Sequence, residues 1–208
     1  MKIYDCFQFF DEEMLLDIRL NMLDKYVDKF VISEAKYKHN GSPKKLIFDI
    51  NKFSQFKHKI IYVVAEDPSS ALLEINNNDS NELKESKKIS NAYRREGHQI
   101  EKIQEVIADV EPDDIIIISD LDEIPNLERI NFKKINQKLI FFRQKMFYYK
   151  LNLFYEGLHW YGSKACKKKY FTTPELLRST KNKKYPLWRI DILFSKLKYN
   201  SIHFVMNG

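Results

Sequence analysis

The stretch IIIISDLDEIP, residues 115–125, carries four consecutive isoleucines directly before three carboxylates. A short continuous apolar run of this kind is typical of a strand that is buried on both faces of a sheet. In open α/β sheets, ligands bind outside the carboxyl ends of the strands. The stretch therefore predicts a central strand that brings Asp120, Asp122 and Glu123 to a ligand site.

The segments before this stretch predict the rest of an α/β domain. Three apolar runs are expected to be strands of the same sheet: residues 3–10, KFVISEAKY (residues 29–37) and HKIIYVVAED (residues 58–67). A helix is expected over residues 12–26, and a second from Asn91 to Val110. Because strands alternate with helices, we expect a mixed, mainly parallel sheet flanked by helices.

Helical periodicity places one face of each helix against this sheet. The stripe expected for the first helix is Leu15, Ile18, Met22 and Tyr26, and that for the second is Ile100, Ile103, Ile107 and Val110. The polar segment 68–90 is expected to be a long loop with at most one short helix. KLIFFRQ (residues 138–144) and MFYYKLNLF (residues 146–154) are expected to be two later strands, whereas the basic segment 164–184 is not assigned.

Composition limits the class of protein. The 208 residues, 44% of them hydrophobic, suffice for one globular domain. A net charge of +6 favours anionic partners such as nucleotides, phosphates or a lipid surface. Cys6 and Cys166 form no CxxC pair, which excludes a zinc ribbon. With neither a signal peptide nor an apolar span, we expect a cytoplasmic protein, with peripheral contact at the inner membrane surface as an option.

The spacing of the three carboxylates indicates a divalent metal. In extended backbone, Asp120 and Asp122 point to the same side and Leu121 points to the core. Neighbouring carboxylates repel each other unless a cation lies between them, and Mg²⁺ or Mn²⁺ prefers such oxygen ligands. Pro125 suits the first turn of a helix, whose positive end would favour the acids. The alternative is a solvated loop in which the acids only cap that helix.

DLDEIP after an apolar strand resembles the DxDEIP signature of glycosyltransferase family 17. Other blocks occur in the order of that family: IYDCFQFFDEEMLLDIRLNML, VDKFVISEAKYKHNGSPK, a weaker REGHQ, MFYYKLN and WYGSKA. IHFVMNG at residues 202–208 is similar to a GWHFS-type block, with Ile202 and Val205 in place of its tryptophan and serine. This resemblance covers nearly the whole chain.

The resemblance implies a GT-A type fold over residues 1–208, with a C-terminal truncation as an option. It also implies inverting transfer of a sugar, by family N-acetylglucosamine, from a UDP-sugar to a glycan hydroxyl; the acceptor could be lipid-linked, and no nucleic acid is expected. Mn²⁺ or Mg²⁺ would be held by Asp120, Asp122 and Glu123, with His203 as a further ligand. Glu123 could instead orient the other ligands, and Asp120 could contact the donor ribose.

Further residues are predicted at the donor and acceptor sites. The donor-binding candidates are Glu34, His39, Lys44, Asp120 and Arg94, the last as a phosphate clamp. Inversion needs a base near the acceptor hydroxyl, and the candidates are Glu156, Asp191 and, with less support, Glu96. Each also has a purely structural interpretation, since paired arginines commonly lie on a surface and aromatic neighbours such as those of Glu156 commonly form a core.

Two other classes of protein stay open at this point. A haloacid dehalogenase-like phosphohydrolase also has an apolar strand that runs into DxD, although there the motif lies near the chain start. A non-catalytic basic module that binds glycan or nucleic acid would use lysines interleaved with Tyr170, Phe171, Tyr185 and Trp188. Release of phosphate from sugar phosphates, or salt-sensitive binding indifferent to Mn²⁺, would distinguish these two from a transferase.

Overall fold

A computed structural model describes residues 1–66, 68–147, 153–182 and, for the backbone alone, 202–206. In this part of the chain, eight strands form one sheet in the order β3-β2-β1-β4-β7-β5-β6, with β8 paired to β5. Their bounds are β1 Ile3–Phe9, β2 Lys29–Ala35, β3 Ile60–Ala65, β4 Ile115–Ser119, β5 Leu139–Phe147, β6 Phe154–Trp160, β7 Lys164–Lys167 and β8 Ile202–Met206.

The sheet changes direction halfway along its order. Strands β1 to β4 are mutually parallel, as are β5 and β8. Strand β7 runs antiparallel to both β4 and β5, and β6 continues antiparallel to β5. The predicted mixed, mainly parallel sheet flanked by helices is therefore confirmed.

Four helices cover the sheet or its ends: α1 Glu13–Leu23, α2 Asn81–Glu101, α3 Gln104–Ile107 and α4 Pro174–Ser179. Ser80 caps α2 by accepting a hydrogen bond from the Leu83 amide, at 3.2 Å. Thr173 caps α4 in the same way from Leu176, also at 3.2 Å. Among the described helices, none is long and apolar enough to cross a membrane.

Two apolar layers enclose β4. Ile115 and Ile117 face the layer that contains α1, whereas Ile116 and Ile118 face the layer that contains α2 and α3. All four side chains are buried, because alternate residues of a strand point to opposite faces of the sheet. The isoleucine run thus fixes the depth and direction at which Asp120 leaves the sheet.

Several local predictions need correction. The helix predicted from Asn91 to Val110 is instead two helices: α2, which begins ten residues earlier and ends at Glu101, and the short α3. The first turns of α2 were missed because they are polar and solvent-exposed and carry no apolar stripe. The first strand predicted in residues 138–154 corresponds to β5, which continues to Phe147. Most of the second, residues 146–154, lies outside the described residues, and β6 begins at Phe154. Pro125 begins no helix: residues 123–127 have no regular structure, so the helix start expected there to favour the acids is not formed.

The stripe predicted for α1 is partly wrong, since Leu15 and Tyr26 pack at the edge of the core but do not form its centre, whereas the stripe of the second helical segment is confirmed. The buried residues of α1 are Leu16, Arg19, Leu20 and Leu23, and Met22 is exposed. Both sets fit a helical period, but the true one contains an arginine. Ile100, Ile103, Ile107 and Val110 are all buried as predicted.

Candidate functional site

A cavity of about 340 Å³ opens at the carboxyl ends of β1 and β4. The chain runs from β1 to β2 and β3 on one side, then returns to place β4 on the other side of β1. Such a reversal of strand order leaves a crevice, which is where open α/β sheets bind ligands. The lining residues are Gln8, Phe9, Phe10, Glu12, Leu15, His39, Glu96, Gln99, Asp120, Leu121, Asp122 and Arg178.

Arg19 fixes the turn that follows β4. Its side chain is fully buried and pairs with Asp5, which is buried as well, through contacts of 2.7 and 2.8 Å. Nη1 of Arg19 donates to the carbonyls of Asp120 and Leu121, both at 3.1 Å, and of Glu123 at 3.2 Å. One guanidinium thus holds the backbone of the whole acidic motif, and Asp5 neutralises its charge.

Asp120 and Asp122 line the same cavity, but the backbone between them is not extended. The Glu123 amide donates to the Asp120 carbonyl at 3.1 Å, which closes a turn over residues 120–123. Leu121 points into the core as predicted. The common direction of the two aspartates was therefore predicted correctly, whereas the strand geometry offered as its cause was wrong.

The Asp120 carboxylate forms a bidentate pair with Arg178 of α4. Nε of Arg178 lies 2.9 Å from Oδ1, and Nη2 lies 3.2 Å from Oδ2. Nη2 also donates to Glu96 of α2 at 2.6 Å. These two carboxylates hold the pKa of Arg178 above its ordinary value despite its burial. Arg178 thus joins α2, α4 and the end of β4 at the wall of the cavity.

Both oxygens of Glu123 accept hydrogen bonds from the protein. Oε2 accepts from the Asp120 amide at 2.9 Å, and Oε1 accepts from Trp160 Nε1 at 2.6 Å. Its carbonyl accepts from the Ser163 hydroxyl at 2.7 Å. Burial, followed by the charge of Asp120, raises the pKa of the carboxyl. Glu123 therefore braces the turn against β6 and β7.

Asp122 is the carboxylate of the motif that is open to a ligand. Within the described parts of the chain, its one hydrogen-bonding partner is its own backbone amide. Burial and the neighbouring Asp120 raise its pKa, so the folded chain disfavours its charge. A cation that entered the cavity would relieve this repulsion.

Gly162, in the segment between β6 and β7, is required for the close approach of this segment to Glu123. A methyl group on Gly162 would lie 1.8 Å from Oε1 of Glu123, whose carboxyl is fixed by Trp160 and Asp120. We expect Gly162→Ala to lower the free energy of unfolding by about 1–3 kcal/mol, as overpacking does. Thermal or urea unfolding measures this effect.

Gly97→Ala is the matched control. Gly97 lies within α2, and no atom lies within 4 Å of the methyl group that alanine would add. Alanine is the better helix former by about 0.5–1 kcal/mol, so this variant should be at least as stable as the wild type. Equal destabilisation of both variants would show that Gly162 has no special packing role.

Comparison with known proteins identifies the family of this fold and site. The model of glycosyltransferase family 17 matches residues 1–181, which include the cavity and all of its lining residues. The chain belongs to glycosyltransferase family 17. A search of curated proteins gave no match. Family membership confirms the predicted glycosyltransferase and favours it over the phosphohydrolase and the basic binding module.

His39 lies at the same cavity as the two aspartates of the motif. This residue follows β2, whereas Asp120 and Asp122 follow β4, yet all three line one cavity. Arg95 of α2 supports the loop by donating to the His39 carbonyl at 3.1 Å. Gly41 has φ +90°, and a methyl group there would lie 2.5 Å from Nη2 of Arg95. The HNGSP turn therefore depends on glycine both for its backbone and for space.

Glu34 and Lys44 lie outside the cavity, in a buried ion pair. The Glu34 carboxylate, fully buried, also accepts from the amides of Ile47 at 2.9 Å and Phe48 at 3.1 Å, and from Tyr62 at 2.8 Å. These bonds anchor residues 44–48 to the sheet. Direct contact of Glu34 with a donor is excluded by this burial, so any effect on the donor would be indirect, through the preceding turn.

The remaining candidates lie elsewhere. Arg94 donates to the Ala71 carbonyl at 2.7 Å and does not line the cavity, so its phosphate-clamp role is unsupported. Glu156 is exposed on β6, outside the cavity. Asp191 lies outside the described residues. His203 of β8 pairs with Ile140 of β5 in the sheet. Only the backbone of His203 is described, so its role as a metal ligand stays a prediction.

Two arginines of the site were missed. Arg178 lies in the basic segment that was not assigned, and α4 is too short to show periodicity. Arg19 was overlooked because a charged residue was not expected on a buried stripe. The weak REGHQ block could have indicated the helix contacts: besides Arg95 and Glu96, Gln99 donates to the carbonyls of Ser33 at 2.8 Å and Phe9 at 3.3 Å.

Proposed function

We propose that the chain transfers a sugar from a UDP-sugar to a glycan hydroxyl, and that the diphosphate binds in the cavity at β1 and β4. The observation that carries this proposal is the meeting of His39, Asp120, Asp122 and Arg178 at the strand reversal of a family 17 glycosyltransferase. N-acetylglucosamine as the sugar follows from the sequence resemblance. The volume of about 340 Å³ suits a small-molecule ligand.

The carboxylates of this cavity suit a divalent cation that binds mainly through the phosphates of the substrate. Among the described residues, no three histidines, cysteines or acids lie close enough to form a metal cage. Mg²⁺ usually binds through one or two carboxylates together with substrate phosphates. Asp122 offers an open carboxylate, and Asp120 is available when Arg178 releases it. Bound there, Mn²⁺ or Mg²⁺ would neutralise charge on the departing diphosphate.

Arg178 is suited to bind the diphosphate itself. Its Nε and Nη2 are used by Asp120 and Glu96, and among the described residues Nη1 has no acceptor. A guanidinium binds phosphate oxygens in the same forked geometry as a carboxylate. We infer that Arg178 and Asp120 separate when the donor binds, the arginine towards phosphate and the carboxylate towards the cation.

Transfer requires a hydroxyl to attack the anomeric carbon while the bond to the diphosphate breaks. A carboxylate takes the hydroxyl proton, and the nucleoside diphosphate leaves with the electron pair. Of the three carboxylates considered for the proton, Glu96 lines the cavity, where it already contacts Arg178 at 2.6 Å. Glu156 does not line it.

Nucleotide release tests the proposed function. A panel of UDP-sugars, with and without oligosaccharide acceptors, and a panel of sugar phosphates are each incubated with the protein and Mn²⁺. UDP and inorganic phosphate are both measured. We expect UDP from at least one donor and no phosphate from sugar phosphates. Phosphate release without UDP would contradict the proposal and restore the phosphohydrolase alternative.

A further inference from the structure

A second cavity lies beside the first and shares one wall with it. It has a volume of about 460 Å³ and is lined by Asp120, Glu123, Leu158, His159, Trp160, Tyr161, Gly162, Lys164, Arg178, Ser179, Thr180, Lys181 and Asn182. Asp120 and Arg178 line both cavities, so the pair between them, with its Nε–Oδ1 contact of 2.9 Å, forms the partition. The Asp120–Arg178 ion pair would therefore separate a group bound in the second cavity from a ligand bound in the first cavity.

A hydrogen bond fixes the indole nitrogen of Trp160, whereas its ring is partly exposed to solvent. Its Nε1 donates to Glu123 at 2.6 Å, and its backbone pairs with Gln144 of β5. Nevertheless 44% of the residue is exposed, and Leu158, two residues earlier on the same face of β6, is 39% exposed. Neighbouring exposed apolar side chains mark ligand grooves, and Trp160 and Leu158 together give this cavity such an apolar surface.

Several of the other residues that line this cavity are polar. Lys164 is almost fully buried, and its Nζ donates to the carbonyls of Gly162 at 2.9 Å and Arg178 at 2.5 Å. This lysine ties α4 to β7, so the position of Arg178 and the shape of the cavity depend on each other. The cavity is lined both by apolar side chains and by hydroxyl and carboxylate groups, a combination that suits a sugar ring with its apolar C–H face and polar rim.

We propose that this second cavity binds the acceptor saccharide, with Trp160 as the stacking platform. This inference rests on the proposed function, because it takes the first cavity as the donor site. The Asp120–Arg178 partition would then open between donor and acceptor when the diphosphate draws Arg178 away. Glu123 acts here as a positioning residue that orients the Trp160 ring.

Tryptophan fluorescence gives a direct test. The chain has two tryptophans, Trp160 and Trp188. Methyl glycosides of N-acetylglucosamine, glucose, galactose and mannose, and disaccharides of these sugars, are titrated into the full chain saturated with UDP and Mn²⁺. We expect a saturable change in emission with at least one saccharide, and loss of that change in Trp160→Phe.

Kinetics separate a platform from a merely structural residue. With a saccharide that is glycosylated, Trp160→Ala should raise the acceptor KM by about 10-fold or more, the effect of losing roughly 1.4 kcal/mol of aromatic contact. The donor KM should not change. Tyr93→Ala removes an aromatic side chain of α2 that is exposed and lies outside both cavities, and should change neither constant. Trp160→Phe keeps an apolar ring and should give an intermediate acceptor KM, which covers the case that the alanine variant fails to fold.

The outcomes distinguish the inference from the proposed function. If UDP binds but no saccharide changes the emission, or if the change persists in Trp160→Phe, the acceptor site lies elsewhere while the donor site stands. An equal rise of donor and acceptor KM in Trp160→Ala would also overturn the inference, because it would indicate general distortion. If no UDP-sugar binds the wild type, the proposed function itself falls.

Discussion

Arg19→Met is expected to destabilise the fold by about 3–5 kcal/mol and to abolish donor binding. Methionine leaves the Asp5 carboxylate buried without its counter-ion, and removal of one partner of a buried pair typically costs this much. It also leaves the carbonyls of Asp120, Leu121 and Glu123 without their shared donor. Urea unfolding measures the first effect, and titration with a UDP-sugar measures the second.

The double variant Asp5→Val/Arg19→Met separates these two effects. Replacement of a whole buried pair by apolar side chains is much less costly than loss of one partner, so part of the stability should return. Donor binding should not return, because the turn still lacks its guanidinium. Lys52→Met, which breaks the exposed pair of Lys52 with Glu13 at 2.7 Å, is the control and should cause no measurable loss. Full recovery of donor binding in the double variant would refute the role of Arg19 in the turn.

Asp122→Asn is expected to reduce sugar transfer on the order of 100-fold or more while leaving the fold intact. Loss of one electrostatic group that stabilises charge in a transition state has effects of this size. Asp122 has no hydrogen-bonding partner among the described side chains, so asparagine disrupts no structural contact. Transfer rates and unfolding midpoints of the same samples provide the measurement. Asp109→Asn, at an exposed carboxylate near the opposite end of β4, should retain full activity.

The pH dependence of stability gives a second signature of Asp122. Its pKa is raised in the folded chain, above the ordinary 3.8, so the folded state holds the proton more tightly than the unfolded state. The Asp122 contribution to stability therefore falls as pH rises from the ordinary pKa through the folded one, and the cost persists at neutral pH. Asp122→Asn should be at least as stable as the wild type at pH 7, and the difference should vanish in acid. A variant that is less stable at pH 7 would contradict this account.

The sequence predicted the fold where burial leaves a pattern. The run of four isoleucines, the apolar runs of β1 and β2 and the isoleucine stripe of residues 100–110 all correspond to largely buried elements, whereas the third earlier apolar run, at β3, is only partly buried. The first half of α2 was missed because its residues face solvent and its signal is a single capping serine, Ser80. The stripe of α1 was misplaced because two helical faces satisfy the same period, and the correct one is chosen by Asp5 in another element.

For the candidate site, the sequence indicated residues that belong to a motif and missed residues that tertiary contacts bring in. Asp120 and Asp122 were predicted from a motif at a strand end, and His39 from the HNGSP turn and the family resemblance; all three line one cavity. Partners brought in by tertiary contact could not be found: Arg178 is 58 residues from Asp120, and Trp160 is 37 residues from Glu123. Glu34 looked like a ligand-binding acid in sequence, whereas four donors from other segments make it an anchor.

Thermal stabilisation by nucleotide sugars tests the central claim most directly, namely that the turn after β4 binds the donor diphosphate with a divalent cation. A panel of UDP-sugars is measured with and without Mn²⁺ on the wild type and on Asp122→Ala. At least one UDP-sugar should raise the Tm of the wild type only when Mn²⁺ is present, and Asp122→Ala should lose this shift. Equal shifts in the two proteins, or shifts that do not depend on Mn²⁺, would contradict the claim.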